Sequence, residues 1–354
     1  LEVSFGRSVR GLFAGEDGGE LYSSDAWLEL LERVGHEHRY LTVADGPGRA
    51  MVPVCAGEQV RSGRYAVGYL LAGRLAAREC VVAAPQAGYR NAPRLGGGAT
   101  AALLAGGVLD AFPDRVTIIP YVSRDTAEGL RAAGVQVEPL VSDAWLTLPG
   151  NGFDDYAQSL APKRRRMVRA EMRTAAESGV RYSVVDPMDC ADEAAALFVG
   201  QMRKYDANYR RPASDYVAYI KECAGLLKGF MITARFRGSL LGCAVFFLHG
   251  GTLWGRMLGI DHRQPAHRQV YFQLVFYRAI ELAYEIGARA LHLGIGSYAA
   301  KTQRGAVLET LWVGLAGRDP ELVAIARAGV RERRRADAAE SPGQQGSPPP
   351  CAAT

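Results

Sequence analysis

The chain has 354 residues, 48% hydrophobic and 22% charged, with 42 basic against 37 acidic side chains and a formal net charge of +5. That length fits two domains able to bury a core without covalent staples, and so mild a charge does not by itself imply a nucleic-acid binder. No stretch offers the ~18 apolar residues of a membrane span, and the first twenty residues lack the apolar core of a secretory signal, so a cytoplasmic protein is expected.

Six scattered cysteines, Cys55, Cys80, Cys190, Cys223, Cys243 and Cys351, form no C-x-x-C pair and no disulfide framework. The six histidines show no ligand spacing to these thiols, so no metal site is expected. Only five basic residues are lysine: Lys163, Lys204, Lys221, Lys228 and Lys301. Each stands out because Lys, unlike Arg, gives up a proton readily.

Residues 1–20 read as an irregular entry. Ser23-Ser24-Asp25 then caps a helix over 26–35. Residues 39–57 predict two strands around the turn Asp45-Gly46-Pro47-Gly48. Residues 65–79 fit helix or strand equally, 79–85 read as a strand, and 85–98 as a Gly/Pro loop. A helix at 100–112, a buried strand at 115–122, a helix at 124–134 and strand material at 135–148 follow. The second half repeats this grammar. A helix at 162–179 closes at Gly179, a strand follows at 181–186, and helices at 190–209 and 214–229 come next, the latter capped by Ser214 or Asp215. Three strands fill 230–261, a long apolar helix 268–287, and strands 288–296 and 307–317. A last helix is expected over 319–335 and a disordered tail over 336–354. Each half thus mixes helices with mostly antiparallel strands, as two versions of one α/β unit.

Three pieces in order carry a resemblance. They are the basic helix 162-PKRRRMVRAEMR-173, the strands FMITARFRGSLLGCAVFFLHGGTLWGRMLGID, and the long helix followed by ALHLGIGSYAAKTQRG. The set resembles the GNAT superfamily, and within it the Fem-like branch of aminoacyl-tRNA-dependent peptidyltransferases and peptidoglycan biosynthesis or recognition proteins. It covers residues 150–316 well and 20–148 more weakly. The resemblance implies an α/β (α+β) fold of two tandem GNAT-like units, each a mostly antiparallel mixed sheet flanked by helices. The expected units are 1–148 and 149–335, with the tail at 336–354. Acetyl-CoA-using relatives carry a Q/R-x-x-G-x-G/A loop whose backbone cradles pyrophosphate. Here the stretch is 261-DHRQPAHRQVYFQL-274, with Arg268 at the first position and Tyr271 where a glycine belongs. The missing glycines argue against CoA.

Lys301 follows a strand end in 294-GIGSYAAKTQRG-305. The resemblance implies an electrophilic role for it, because ester aminolysis passes through an oxyanion that a fixed cation stabilises. Tyr298 and Arg304 share its loop, as a hydrogen-bonding and an anion-holding candidate. Lys163, Arg164, Arg165, Arg166, Arg169 and Arg173 make a cationic helix, and 166, 169 and 173 fall at i, i+3 and i+7. Such a stripe, with Arg268, suits the phosphates of tRNA or of a nucleotide. Tyr205, Asn208, Tyr209, Arg210 and Arg256 are acceptor-pocket candidates, as are Tyr89, Arg90 and Asn91 in the first-half loop. Asp261 or Glu309 is a candidate proton acceptor. Tyr271, Phe272, Phe276 and Tyr277 read as core. No nucleophile elbow, P-loop or Rossmann fingerprint occurs.

The expected activity is transfer of an amino acid from aminoacyl-tRNA, a co-substrate, to an amine of a peptide, a cell-wall precursor or a natural-product intermediate, with no bound cofactor. Two other readings stay open at this stage. One is an acyl-CoA-dependent N-acyltransferase, and the other is a non-catalytic module that binds cell-wall precursors or RNA.

Overall fold

The computed structural model describes residues 1–11, 20–60, 63–206, 209–263 and 267–340. In chain order the elements are β1 (Glu2–Gly6), α1 (Asp25–Arg33), β2 (Arg39–Asp45), β3 (Gly48–Ala56), α2 (Val67–Leu70), β4 (Cys80–Ala83) and β5 (Arg94–Gly96). Then come α3 (Ala101–Ala111), β6 (Val116–Val122), α4 (Arg124–Ala132), β7 (Gln136–Thr147), α5 (Phe153–Ser159) and α6 (Pro162–Glu177). After β8 (Arg181–Val185) follow α7 (Ala191–Tyr205), α8 (Ala213–Leu226), β9 (Gly229–Phe236), β10 (Ser239–His249) and β11 (Thr252–Ile260). The long helix is α9 (His267–Phe272), a π-helical turn (Gln273–Tyr277) and α10 (Arg278–Glu285). The chain ends with β12 (Ala290–Gly294), α11 (Tyr298–Gln303), β13 (Val307–Ala316) and α12 (Pro320–Glu340).

These elements form where local chemistry asks for them. Ser24 and Ser123 accept backbone N–H bonds from Trp27 and Thr126 at the starts of α1 and α4. Pro162 opens α6, and Gly179 follows its end at φ +72°, as the sequence predicts. For α8 the cap differs from expectation: the helix begins at Ala213, so Ser214 and Asp215 lie in its first turn. The ambiguous stretch 65–79 holds the single turn α2 and a 3-10 turn at Ala77–Glu79, and α2 ends where Ala72 and Gly73 both turn left-handed.

The chain divides into two compact units. Among the described residues, unit 1 is Leu1–Asp143 with residues 310–340, and unit 2 is Ala144–Glu309. This differs from the expected division at 148/149 followed by a second unit running to 335. The physical reason lies in the sheet. β13 leaves the half of the chain that precedes it and pairs antiparallel with β6, for example Leu315 with Ile118. The tail also differs, since α12 stays helical to Glu340; the residues beyond lie outside those described.

In unit 1 the pairing runs β1-β2-β3-β4-β6-β13, and only β4 with β6 is parallel. Its core gathers Leu41, Val43, Val52, Leu104, Val108, Ile119 and Leu130 from strands and from α3 and α4. In unit 2 the end of β7 pairs with β12, and the order continues β11-β10-β9-β8. Only β11 with β12 is parallel. Val168, Leu274, Phe276, Tyr277 and Ile280 from α6 and the long helix pack on Leu146, Ile232, Leu253 and Leu291 of this sheet. Each unit therefore carries one parallel pair bridged by a helix, α3 in the first and α9–α10 in the second, within an otherwise antiparallel sheet.

Cys55, Cys80, Cys190, Cys223 and Cys243 are buried free thiols. Among the described residues no helix is long and apolar enough to cross a membrane, and no group of three His, Cys, Asp or Glu side chains could hold a metal ion.

His38 in unit 1 is buried and its Nε2 accepts the Gln86 backbone N–H at 3.2 Å. Burial, helped by the nearby His36, pushes its imidazole down to about 3. The folded pKa lies below the unfolded value, so the folded state binds fewer protons. Its stabilising contribution is present above pH 6.5 and is lost as pH falls towards 3. Unfolding free energies from urea titrations between pH 7 and 4 should fall with a limiting slope of about 1.4 kcal/mol per pH unit. His38→Gln should flatten that slope.

Candidate functional site

In unit 2 the parallel strands part company abruptly. β11 and β12 pair at Thr252–Ala290, Leu253–Leu291 and Trp254–His292, and no further. Both strands bulge just past that last rung. On β11, Met257 pairs with Val245 but Gly255 with Phe246, so Arg256 is an extra residue against β10. On β12, His292 pairs with Trp145 but Gly294 with Ala144, so Leu293 is extra against β7. A bulge bends its strand and re-aims a side chain. Two bulges at one level open a notch between β11 and β12.

One side of the notch belongs to Arg256, which is 6% exposed. Its Nε donates to the Tyr219 hydroxyl at 3.2 Å. Tyr216, one turn earlier on α8, shares a 2.9 Å hydroxyl bond with Tyr209. Burial holds the phenols of Tyr216 and Tyr219 well above their usual value, while the Arg256 charge works in the opposite direction. The structure thus links two predicted residues, Tyr209 and Arg256, through two that sequence reasoning missed. The available signal was the i, i+3 spacing of Tyr216 and Tyr219, which puts both on one helix face. Trp145, Trp254 and His292 cluster on three adjacent strands at the last paired rung, with centroids 4.5–5.3 Å apart in edge-on and tilted contacts. They too were missed.

The other side is the loop after β12. Gly294, Gly296 and Ser297 all adopt left-handed backbone, at φ +68°, +75° and +46°. For a serine this is strained, a condition that clusters at functional sites. Lys301, 1% exposed, reaches back from α11 into this loop. Its Nζ donates to the Gly294 carbonyl at 2.8 Å and to that of Ile295 at 2.9 Å. Gly294 and Arg256 each stand two residues past the last paired rung. The buried ammonium thus caps the end of β12, and the arginine marks the bulge of β11. Tyr298 is half-buried at the first position of α11.

Arg304 is 1% exposed and fully engaged, so it is not the anion-holding group expected from its loop position. Its Nε donates to Tyr277 Oη at 2.9 Å, Nη1 to Ala300 O at 3.0 Å and Nη2 to Glu171 Oε2 at 2.6 Å. The guanidinium carbon lies 3.7 Å from the Phe272 ring centroid. Tyr277 also bonds Glu171, and burial holds its phenol well above the usual value. Asp261 is likewise committed. Its carboxylate accepts from Arg263 Nε at 2.8 Å and Nη2 at 3.0 Å, closing the turn after β11 rather than facing an amine. Glu309 is exposed on β13.

The basic helix α6 has two faces. Lys163, Arg164, Arg166, Arg169 and Arg173 are exposed. Among the described residues no hydrogen bond or ion pair engages these five. Arg165 differs from its neighbours, because its Nη2 donates to the carbonyls of Gln158 and Leu160 at the end of α5. The inner face carries Glu171 to Arg304. The side chains of Tyr205 and Arg268, and all of Asn208, lie outside the described residues. Arg210 is exposed.

Unit 1 has the matching notch, but its own chain fills it. β4 and β6 pair from Cys80–Val116 to Val82–Ile118, and β6 then bulges at Pro120–Tyr121 against β13. Asn91 Nδ2 donates to Ala83 O at 2.9 Å and to Pro120 O at 3.2 Å, and Asn91 N donates to Tyr121 O. Tyr89 packs edge-on against Tyr121, and Arg90 is held by Glu20 and Asp143. Tyr89, Arg90 and Asn91, expected as acceptor contacts, therefore form a plug. Loops rich in Gly and Pro read alike in sequence whether they bind a ligand or close a gap.

The sequence matches the FemAB-like family, described as peptidoglycan biosynthesis/recognition, over residues 115–344. The chain belongs to that family. Solved structures with similar folds include the C-terminal domain of a putative lysylphosphatidylglycerol synthetase from Agrobacterium fabrum. It has TM-score 0.55 at 13% identity, covering 84% of this chain and 89% of that one. L-PGS from Bacillus licheniformis gives TM-score 0.53 at 12% identity, covering 88% and 93%. FemX gives 0.54 at 11%, covering 82% and 90%. No curated protein matches the sequence. The fold is thus a Fem-like α/β architecture, as the resemblance implied.

Tyr277→Phe should show how far unit 2 depends on the Arg304 cluster. It strips one acceptor from a buried guanidinium, so unfolding in urea should show a loss of about 1–3 kcal/mol. A loss below about 0.5 kcal/mol would mean that Arg304 does not need that bond.

Proposed function

We propose that this FemAB-like chain is an aminoacyltransferase that moves an amino acid from aminoacyl-tRNA to an amine of a cell-wall precursor peptide. One observation carries the reading: the buried ammonium of Lys301 at the end of β12, where the parallel strands of unit 2 part. Attack of an amine on an aminoacyl ester builds negative charge on the carbonyl oxygen. A cation fixed beforehand at that point stabilises the charge without reorganising, and such groups are typically worth ~10²–10³ in rate. Arg256, with Tyr209, Tyr216 and Tyr219, lines the opposite strand and is suited to orienting the acceptor.

The donor class follows from two features. No glycine occurs between Gly259 and Gly287, so the backbone has no place for the close approach that a CoA pyrophosphate requires. The five unengaged cations of α6 instead present a stripe suited to repeated phosphates. The acceptor class follows the family description. One of the similar structures is a putative lysylphosphatidylglycerol synthetase, so a lipid acceptor belongs in the same panel.

The test is amide formation from charged tRNA, with and without RNase, and from acyl-CoA, against a panel of amines. RNase-sensitive product is expected. Product from CoA alone would overturn the donor, and no product from either would favour a recognition module. Lys301→Ala should lower kcat by about 10²–10³ with the fold intact by circular dichroism, and near-normal turnover would remove it from the chemistry. Charge reversal at Arg166 and Arg169 should weaken tRNA binding and flatten the plot of log Kd against log salt by about 1–2. An unchanged slope would leave α6 a solvated face.

A further inference from the structure

Three of the four residues 294 to 297 in the loop before Lys301 are left-handed, and α11 has six residues. Besides the two Nζ bonds, a 3.2 Å bond from Lys301 N to Ser297 O closes the turn. A set of bonds from other elements converges on the residue that follows α11. Arg304 grips α11 at Ala300 O, the π-helical turn at Tyr277 and α6 at Glu171. Its own carbonyl accepts the Tyr156 hydroxyl of α5 at 2.9 Å. A rigid planar fork spreads its donors over three nitrogens and so reaches three acceptors set well apart, whereas a lysine's three donors all radiate from one atom. The π-helical turn fits the same account. Such turns insert an extra residue into a helix and are frequent at functional sites, and this one presents Tyr277 to the guanidinium.

We propose that Arg304 is a positioning residue for Lys301. Through Ala300 O it fixes α11, and so seats the ammonium on the Gly294 and Ile295 carbonyls. Through Glu171 it ties that seat to α6, whose opposite face carries Arg166, Arg169 and Arg173. This rests on the role given to Lys301 above and deepens it: the surface that would hold the donor's phosphates and the cation that would meet its carbonyl belong to one block. Glu171 is the only acid among the charged residues of 162–173. It faces inward, where it neutralises Arg304 rather than the stripe.

The test uses Arg304→Lys and Glu171→Gln in the full chain, with amine acylation by N-hydroxysuccinimide acetate and peptide mass mapping. In the unsubstituted protein Lys301 should be protected while the exposed Lys163 reacts. Both variants should raise Lys301 labelling by about tenfold or more, as expected for removing one charged hydrogen bond from a buried group. Buried Cys243 should stay protected from alkylation, which separates local displacement from global opening. Where turnover is measurable, kcat should fall about 10²-fold with the donor KM unchanged. Unchanged Lys301 labelling in a folded variant overturns the proposal. If Arg304→Lys does not fold, the near-isosteric Glu171→Gln carries the same test. Absence of turnover in the unsubstituted protein would overturn the proposed function, and the labelling would still decide the positioning.

Discussion

A guanidinium in a protein interior is costly unless its donors find acceptors. Arg304 meets that demand, and much of unit 2 is organised by it. One carboxylate, one phenol, one backbone carbonyl and one aromatic face come from α6, the long helix and α11. Breaking such an arrangement at one partner leaves a charge buried and unsatisfied. The arrangement therefore fixes geometry more than it adds net stability. That is a reason for a polar cluster to sit inside an otherwise apolar core of Val168, Leu274, Phe276 and Ile280.

The two units set one topological device to opposite ends. Each has a parallel pair that runs together for three rungs and then separates at a bulge. In unit 1 the freed carbonyls of Ala83 and Pro120 are taken by a single asparagine, so the gap is closed with the chain's own amide. In unit 2 the carbonyls just past the rung are taken by an ammonium instead. Both solutions satisfy the backbone. Only the second places a full positive charge where its strands separate.

Much of this fold was legible in the sequence. The alternation in 39–57 and 230–261 and the apolar period of 268–287 gave β2, β3, β9, β10, β11 and the long helix, because those signals are local. The discontinuity of unit 1 was not legible: β13 reads as a strand, but nothing in VLETLWVGLAG names β6 as its partner. The site divided in the same way. Lys301 reads as a loop lysine after a strand end, and the fold buries it; the cationic stripe reads from its spacing, and its arginines are exposed. Arg304, Asp261, Tyr89, Arg90 and Asn91 misled for a common reason. A polar side chain in a loop looks available in sequence, and only the fold reveals the acceptor already assigned to it. Tyr277 read as core and is buried, but its hydroxyl serves the arginine.

The return of β13 to unit 1 has a consequence for synthesis. Until Thr310–Ala316 has been made, β6 lacks its antiparallel neighbour and presents an open edge. The whole of unit 2 is translated in that interval, roughly ten to thirty seconds at ordinary elongation rates. Unit 2 has all of its strands by Gly294, so it can complete its sheet while the older half of the chain still waits. The N-terminal unit is the first to emerge and the last able to close.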